Sequence, residues 1–401
     1  MPELTGSPLV CFSNVEWGSW RQRHHHLMER FARHHQVLFV ETPGMRAPNL
    51  LSTRDLRRMG RRVGQAARSL LQPRDQAAAG NLRVYSPLVL PYPQSGPVRR
   101  LNTQLLLHDL RRLLADRAMV NPILWVYLPS ELILQVIRRL PHCLLVYDCA
   151  DAITEFRDAP ASMATSEDRL LDAADLVFAS SRPLLERCRG RRAPVHLVPN
   201  AGDVEWFARE SRRSAEPPEM AALPHPRVGY VGAMREWFHW ELLEAAVKRF
   251  PAASFVLIGD SEVPAPLRNR PNLHVLGPRP YADLPGYLGA LDVAMIPFLD
   301  TPLVRSTHPV KVYEYLAAGL PVISTPMKEI QHLAEVDMAP PNEPFLQALQ
   351  FRLQQPRQEA AMERRRQSVA DETWDHRFAV MTGALRHALE TSRPAVAEPA
   401  P

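Results

Sequence analysis

Residues 305–324 read R-S-T-H-P-V-K-V-Y-E-Y-L-A-A-G-L-P-V-I-S and predict a loop, a short helix and a strand in direct succession. Pro309 suits the first turn of a helix, where a backbone N–H has no partner within the helix. Gly319 suits the left-handed position that ends many helices. Pro321 then prevents the helix from continuing, and the apolar residues 322–323 begin a buried strand.

The predicted helix start has the features of an anion site. Its free N–H groups face the loop that holds Arg305, Thr307 and His308, which suits a diphosphate. Lys311 places a positive charge in the first turn, against the helix dipole, and this indicates a compensating anion. Glu314, one turn further on, can accept hydrogen bonds from the paired hydroxyls of a sugar. Alternatively, Lys311 and Glu314 form only a surface pair worth roughly 0.2–0.5 kcal/mol.

Length and composition narrow the class of protein. A chain of 401 residues favours two domains, and four cysteines without a C-x-x-C pair indicate neither a zinc site nor a disulfide framework. The sequence shows neither a signal peptide nor an apolar stretch of membrane-spanning length, so we expect a cytoplasmic protein. The chain has only three lysines among 48 basic residues, which favours a specific role for Lys311. A compact ammonium suits a phosphate contact.

Strands and helices alternate along both halves of the chain, which predicts parallel α/β domains. A stretch rich in proline, serine and charge separates the two halves and predicts a linker. The predicted organisation is an N-terminal domain at 1–207, a linker at 208–226, a second α/β domain at 227–369, a helix at 370–390 and a disordered tail at 391–401.

Catalytic groups in open α/β sheets lie at the carboxyl ends of the strands. The loop after the first strand contains Glu16 and Trp17, and the next helix begins near Arg23 and His24, so these four are candidate acceptor-side or catalytic residues. Three adjacent histidines, 24–26, cannot share one helix face, so we predict no metal site there.

Two carboxylates, Asp148 and Asp151, follow another predicted strand. They are candidates for chemistry or for binding substrate hydroxyls. In the alternative interpretation, one of them only caps the following helix.

Residues 54–74 contain seven arginines and one aspartate, with apolar residues at helical spacing. A basic amphipathic helix often lies on an anionic membrane surface. The alternative is an ordinary surface helix, and Gly60 and Gly64 weaken the helix prediction itself. Peripheral contact with the inner face of the plasma membrane is therefore one hypothesis for this segment.

The order of motifs in the second half resembles the nucleotide-sugar domain of GT-B glycosyltransferases, in particular the glycosyltransferase 4 group. The motifs are V-G-Y-V-G, F-V-L-I-G-D, N-L-H-V-L-G and K-x-x-E-Y-L-A-A-G-L-P-V, within residues 227–324. The nearest subgroup acts in teichuronic-acid and exopolysaccharide assembly. In the first half, A-D-L-V-x-A-S-S and L-V-P-N-A-x-D resemble the end of a GT-B amino-terminal domain.

The resemblance implies two Rossmann-like domains that face a cleft, with the last helix crossing back to the first domain. It implies that a nucleotide-diphosphate sugar binds mainly to the second domain. The expected reaction is a retaining transfer of a hexosyl group to a hydroxyl of a sugar or lipid-linked glycan. We expect no metal ion and no cofactor.

Individual residues follow from the same resemblance. Glu314 matches the glutamate that holds the ribose, and Gly232 belongs to the first glycine turn of the second domain. Asp260 and Arg279, at predicted strand ends, are candidates to approach the base.

The chain also departs from the family pattern. Many members have a glutamate where this chain has Thr307, and an arginine and a lysine where it has Ala233 and Phe238. His239 and His308 replace an aspartate and an asparagine of the subgroup, and His239 is counted among the catalytic candidates. The diphosphate charge is then assigned to three other basic residues, namely Arg235, Arg305 and Lys311.

Other functions remain open at this point. A GT-B nucleotide-sugar epimerase or hydrolase needs no acceptor, and a non-catalytic nucleotide-sugar-binding protein is suggested by the departures. Nucleic-acid binding is disfavoured because the net charge of +5 is modest and no recognition motif accompanies it.

Overall fold

The computed structural model describes residues 6–41, 75–87, 89–90 and 95–392. The chain divides into two compact units: unit 1 is Met1–Val198 together with Phe378–Pro401, and unit 2 is Pro199–Arg377. The whole predicted basic segment 54–74 and most of the predicted tail 391–401 lie outside the described residues.

Unit 1 is built on an eight-stranded sheet in the order β3-β4-β2-β1-β5-β6-β7-β8. Its pairs are parallel except that β3 runs antiparallel to β4. The strands are β1 Leu9–Phe12, β2 Val37–Val40, β3 Asp75–Ala79, β4 Leu82–Tyr85, β5 Ile123–Val126, β6 Leu144–Cys149, β7 Leu176–Ala179 and β8 Val195–Leu197. The central strands are short apolar runs that are buried along their whole length, as expected for a parallel sheet covered by helices.

The described helices of unit 1 connect these strands. They are α1 Arg23–Phe31, α2 Gly96–Asp116, α3 Glu131–Ile137, α4 Met163–Ala173 and α5 Arg182–Cys188. Ser130 and Ser181 cap α3 and α5, since each hydroxyl accepts a hydrogen bond from the backbone N–H three residues later.

Unit 2 contains a six-stranded parallel sheet in the order β11-β10-β9-β12-β13-β14. The strands are β9 Arg227–Val231, β10 Ser254–Ile258, β11 Leu273–Gly277, β12 Val293–Ile296, β13 Val322–Ser324 and β14 Val336–Met338. The helices are α6 Val204–Arg213, α7 Pro218–Ala221, α8 Trp240–Arg249, α9 Leu284–Gly289, α10 Pro302–Arg305, α11 Lys311–Ala317, α12 Glu343–Leu353 and α13 Glu359–Gln367. The last helix, α14 Trp374–Ser392, begins in unit 2, and its residues from Phe378 onward belong to unit 1.

The predicted loop–helix–strand stretch is confirmed. Gly319 follows the end of α11, and its φ of +86° is the left-handed conformation that the sequence predicts. The N–H of Leu320 bonds to the carbonyl of Tyr315 at 3.0 Å, and the N–H of Gly319 bonds to that of Leu316 at 2.9 Å. These two bonds form a Schellman motif, which satisfies carbonyls that the helix leaves unpaired.

The boundary between the two halves differs from the prediction. The predicted linker 208–226 contains the end of α6 and all of α7, and Phe207 and Met220 are buried in the core of unit 2. Proline, serine and charge predicted a linker, but the buried side chains of Phe207 in α6 and Met220 in α7 pack these two helices onto the domain. Residues 199–207 also belong to unit 2 rather than to the first domain.

Within the described ranges, no helix is both long and apolar enough to cross a membrane. The same residues contain no cluster of three or more histidine, cysteine or acidic side chains arranged to hold a metal ion.

Candidate active site

In unit 2, the candidate donor site joins the turn after β9 to the first turn of α11. The Lys311 Nζ lies 5.4 Å from the ring centre of Tyr230 and 5.3 Å from that of Phe298. A Cβ atom at Gly232 would lie 3.0 Å from the Lys311 Cε and 3.2 Å from the Tyr230 hydroxyl. Glycine at 232 therefore allows the lysine to extend along the turn, where its ammonium lies beside two aromatic rings.

Both charged groups of α11 are only partly exposed, so each is partly desolvated. Burial lowers the pKa of Lys311 from its usual 10.5 to about 8, and the nearby Glu314 only partly opposes this effect. Burial raises the pKa of Glu314 to about 7, while Lys311 lowers it and Asp203 raises it further. Each charged form is thus poorly solvated, so a bound anion beside Lys311 and hydroxyl donors beside Glu314 would stabilise them.

Three residues that the sequence did not indicate, Asp203, Trp206 and Tyr281, form a connected group beside Glu314. The Tyr281 hydroxyl lies 3.1 Å from an oxygen of Asp203 and 3.4 Å from the Glu314 Oε1. The ring of Tyr281 stacks on Trp206, with 5.1 Å between ring centres and 12° between planes. Asp203 and Trp206 come from the V-P-N-A-G-D-V-E-W stretch, which the sequence placed in the first domain. The only available signal was the position of that motif directly before α6.

Helix α11 is fixed to its surroundings at several points. The Tyr315 hydroxyl accepts a hydrogen bond from the Val231 N–H at 2.7 Å and donates one to the Val231 carbonyl at 3.1 Å. The Asn200 side chain donates to the His308 carbonyl at 2.8 Å. A Cβ atom at Gly202 would lie 2.9 Å from that of Tyr313, so the loop before α6 contacts α11 closely.

The other residues predicted for the donor site are held by neighbours. Arg235 forms an ion pair with Asp260 beside the glycine turn. Arg305 is exposed and makes two hydrogen bonds to Asp300, at 2.7 and 2.9 Å. The hydroxyl of Thr307 donates to the Leu303 carbonyl at 2.8 Å, within its own turn.

Arg279 and His239 make contacts typical of structural residues. Arg279 donates to the Tyr287 hydroxyl at 2.7 Å and to Glu219 at 3.1 Å, and so connects α9 to α7. His239 caps α8, because its Nδ1 accepts a hydrogen bond from the Leu242 N–H at 3.2 Å. Arg279 and His239 could contact a substrate only if the ligand replaced these hydrogen-bond partners.

In unit 1, Arg23 and Asp148 form a buried ion pair at the carboxyl end of the sheet. The Arg23 Nε lies 3.0 Å from each oxygen of Asp148, and Arg23 also donates to the Val198 carbonyl at 2.9 Å. Asp148 has no exposed surface, and only 3% of Arg23 is exposed. This geometry suits residues that position their neighbours rather than residues that touch a substrate.

Asp151 lies beyond the end of the same strand and is partly exposed. Burial raises the pKa of Asp151 to about 6, Arg23 opposes the shift, and Asp148 adds to it. Of the two predicted carboxylates, Asp151 is thus the one that a substrate can reach and that titrates near neutral pH.

His24 is buried beside Tyr127, with 3.7 Å between ring centres. Neither ring nitrogen of His24 has a hydrogen-bond partner among the described residues. Burial lowers the pKa of His24 well below its usual value, so the ring is neutral.

The remaining acceptor-side candidates lie in the loop after β1. Glu16 is exposed, and its carbonyl accepts a hydrogen bond from the Ser19 hydroxyl at 2.6 Å. The backbone N–H of Trp17 donates to the Glu41 carboxylate at 2.6 Å. The ring centres of Trp17 and His25 lie 5.0 Å apart. The loop is therefore attached both to the end of β2 and to α1.

Residues 225–348, which contain the candidate donor site, match the family described as glycosyl transferases group 1. The whole chain resembles the structure of sucrose-phosphate synthase from Thermosynechococcus elongatus, with a TM-score of 0.68 and 16% identity over 96% of this chain and 100% of that one. It also resembles Anabaena Alr3699/HepE in complex with UDP and glucose, with a TM-score of 0.60 and 14% identity over 96% and 100% of the chains. The predicted GT-B fold is confirmed. The segment that contains the candidate donor site is in addition similar to the glycosyl transferases group 1 family.

Among individual proteins, the chain is similar to the putative teichuronic acid biosynthesis glycosyltransferase TuaH of Bacillus subtilis (strain 168). The two are 23% identical over 275 residues, which cover 61% of this chain and 68% of TuaH. The resemblance noted from the sequence motifs is thus confirmed as a resemblance.

Proposed function

We propose that this protein transfers a hexosyl group from a nucleotide-diphosphate sugar to a hydroxyl of a sugar or lipid-linked glycan in bacterial surface polysaccharide or glycoconjugate synthesis. The observation that carries the proposal is the Lys311–Glu314 pair beside Gly232, within the segment that matches the glycosyl transferases group 1 family. The solved complex of Anabaena HepE with UDP and glucose makes UDP-sugars the first donors to test.

In this proposal Lys311 binds the diphosphate and stabilises the charge that develops on it as the glycosidic bond breaks. Its pKa of about 8 rises when a dianionic diphosphate binds, so the ammonium form persists in the complex. Glu314 accepts hydrogen bonds from the ribose hydroxyls. We assign no metal ion to the reaction, because Lys311 supplies positive charge at the leaving group.

Transfer with retention is part of the proposal. The acceptor hydroxyl forms the new bond to the anomeric carbon as the bond to the diphosphate breaks, and the departing phosphate oxygen takes the hydroxyl proton. Asp151, partly exposed at the carboxyl end of β6, is the candidate to bind the acceptor hydroxyls in unit 1.

The test begins with thermal-shift screening against UDP, GDP, ADP and TDP, followed by assays with the matching nucleotide sugars and a panel of glycan acceptors. We expect stabilisation by one nucleotide, and sugar transfer that continues in EDTA and depends on an acceptor. Turnover of the donor alone would indicate an epimerase or hydrolase. Nucleotide binding without turnover on any acceptor would indicate a non-catalytic binding protein.

The affinity for the nucleotide is expected to depend on pH. In the free protein Glu314 is neutral below about pH 7 and Lys311 is neutral above about pH 8. Because binding requires the charged form of both, affinity should be greatest between these values and fall by up to about tenfold per pH unit on either side. Isothermal titration calorimetry from pH 5.5 to 9.5 measures this profile.

The matched variants separate the two limbs of that profile. Glu314→Gln should lose the decrease at low pH, and Lys311→Met should lose the decrease at high pH, each with weaker binding throughout. A profile that remains the same in both variants would contradict the assignment of these two groups.

A further inference from the structure

A basic groove lies between α2 and α3 of unit 1. None of its residues belongs to the candidate donor or acceptor sites. It is a cavity of about 770 Å³ lined by Arg100, Gln104, Leu107, His108, Arg111, Arg112 and Arg139. Thus four arginines converge there, and no acidic side chain belongs to the lining among the described residues. The Arg111 side chain donates a hydrogen bond to the Arg139 carbonyl at 3.1 Å, which links α2 to the residues that follow α3.

Exposed leucines lie beside these arginines on the same helix. Leu101 is 44% exposed and Leu105 is 41% exposed, and they are one helical turn apart. Arg112 lies two turns after Leu105 on the same face of the helix, and His108 lies between them on that face. The outer surface of α2 therefore presents an apolar ridge next to a cluster of positive charge.

A third exposed leucine is held near the start of α2. Leu90 is 41% exposed, and its N–H and carbonyl bond to the Asn102 side chain at 2.8 and 3.0 Å. Because Asn102 is buried on α2, these bonds fix the leucine backbone beside the helix. Three leucines that are each 41–44% exposed therefore lie near the first half of α2.

We propose that the outer surface of α2, together with Arg139, docks on an anionic lipid membrane. Positive charge complements the anionic headgroups, and arginine can bind phosphate oxygens through two parallel hydrogen bonds. The leucines are the reason to favour a membrane, since they can enter the acyl boundary, whereas a nucleic acid offers them no apolar phase. With 21 residues, α2 is about 30 Å long and can present several of these side chains to one flat surface.

The location of the groove leaves the candidate acceptor side free. Helix α2 leads from β4 to β5 and α3 leads from β5 to β6, so the groove belongs to the helical layer outside the sheet. The Arg23–Asp148 pair and Asp151 lie instead at the carboxyl end of the strands. Docking through α2 therefore does not cover these residues, and the inference goes beyond the proposed transfer reaction.

Co-sedimentation of the full chain with phosphatidylglycerol-containing vesicles and with pure phosphatidylcholine vesicles tests the proposal. We expect binding to the anionic vesicles only, with a decrease as salt is raised. Basic residues at such a surface contribute about 1 kcal/mol each, so Arg100→Gln with Arg112→Gln should lower the partition coefficient roughly tenfold or more. Leu101→Ser with Leu105→Ser should also weaken binding, but without a change in the salt dependence.

The matched control is Arg189→Gln with Arg192→Gln, which removes the same charge from other exposed positions of unit 1. It should bind anionic vesicles nearly as well as the wild type. Equal binding by all three double variants would overturn the proposal. Binding to duplex RNA without any binding to vesicles would also overturn it. Thermal melting and the nucleotide shift of each variant show that it is folded, so loss of docking is distinguishable from failure of the donor site.

Discussion

Alanine at either Lys311 or Glu314 is expected to weaken nucleotide-diphosphate binding by roughly 10- to 150-fold, which corresponds to about 1.5–3 kcal/mol for a hydrogen bond to a charged group. Lys311 is the cation enclosed by Gly232, Tyr230 and Phe298, so its removal leaves the diphosphate without its nearest counter-charge. Loss of Glu314 leaves the ribose hydroxyls without their acceptor. Isothermal titration calorimetry with the nucleotide found in the screen measures both effects.

The structure offers a matched pair of controls in the same unit. Lys248 and Glu244 form an i,i+4 ion pair on α8, with 2.6 Å between the charged atoms and about half of the Lys248 side chain exposed. Lys248→Ala and Glu244→Ala remove the same residue types from an ordinary helix surface and should leave nucleotide affinity unchanged. If the α11 variants retain wild-type affinity as the controls do, the donor-site assignment is wrong.

The largest expected effect on stability is that of Gly259→Ala. Gly259 follows β10 with a φ of +146°, and a Cβ atom there would lie 2.0 Å from the Gly232 carbonyl oxygen. The strained backbone costs about 1–3 kcal/mol, and the clash with backbone adds to it, because neither turn can move without breaking its contacts. We expect unit 2 to lose about 3 kcal/mol or more of its free energy of unfolding, or roughly 6–12 °C in melting temperature.

Gly277→Ala separates backbone strain from the clash. Gly277 also has a positive φ, +71°, but a Cβ atom there meets nothing within 4 Å. Its replacement should therefore cost only about 1–2 kcal/mol, the ordinary penalty of a left-handed residue. Differential scanning calorimetry compares the two variants. Equal melting temperatures would show that the close contact between the two glycine turns does not affect the stability of unit 2.

Local signals in the sequence predicted much of the fold. The proline, glycine and apolar residues around α11 predicted a helix that is found at Lys311–Ala317, with Gly319 in the left-handed conformation. Short apolar runs likewise predicted most strands of both sheets, because a parallel strand buried on both faces needs little else. Strand β14 was not predicted, since V-D-M is too short an apolar run to indicate a strand. Edge strand β3 was not predicted, since D-Q-A-A-A lacks the β-branched residues typical of strands.

The surroundings of the candidate site depended on long-range packing and were harder to predict. Asp203 and Tyr281 approach Glu314 from positions 111 and 33 residues earlier in the chain, and no local pattern marks either of them. The sequence placed Arg23 and Asp148 at the same sheet edge. It could not show that the arginine binds both carboxylate oxygens and leaves Asp151 as the accessible acid.

The Tyr315 hydroxyl is hydrogen-bonded to both the N–H and the carbonyl of Val231, and these two bonds affect how a nucleotide would be recognised. Val231 immediately precedes the glycine turn and Tyr315 immediately follows Glu314. These two hydrogen bonds therefore hold the proposed phosphate and ribose subsites at a fixed distance from each other. A nucleotide then meets a preorganised surface and loses little conformational entropy of the protein on binding. Selectivity among nucleotides should accordingly arise from shape rather than from an adaptable loop.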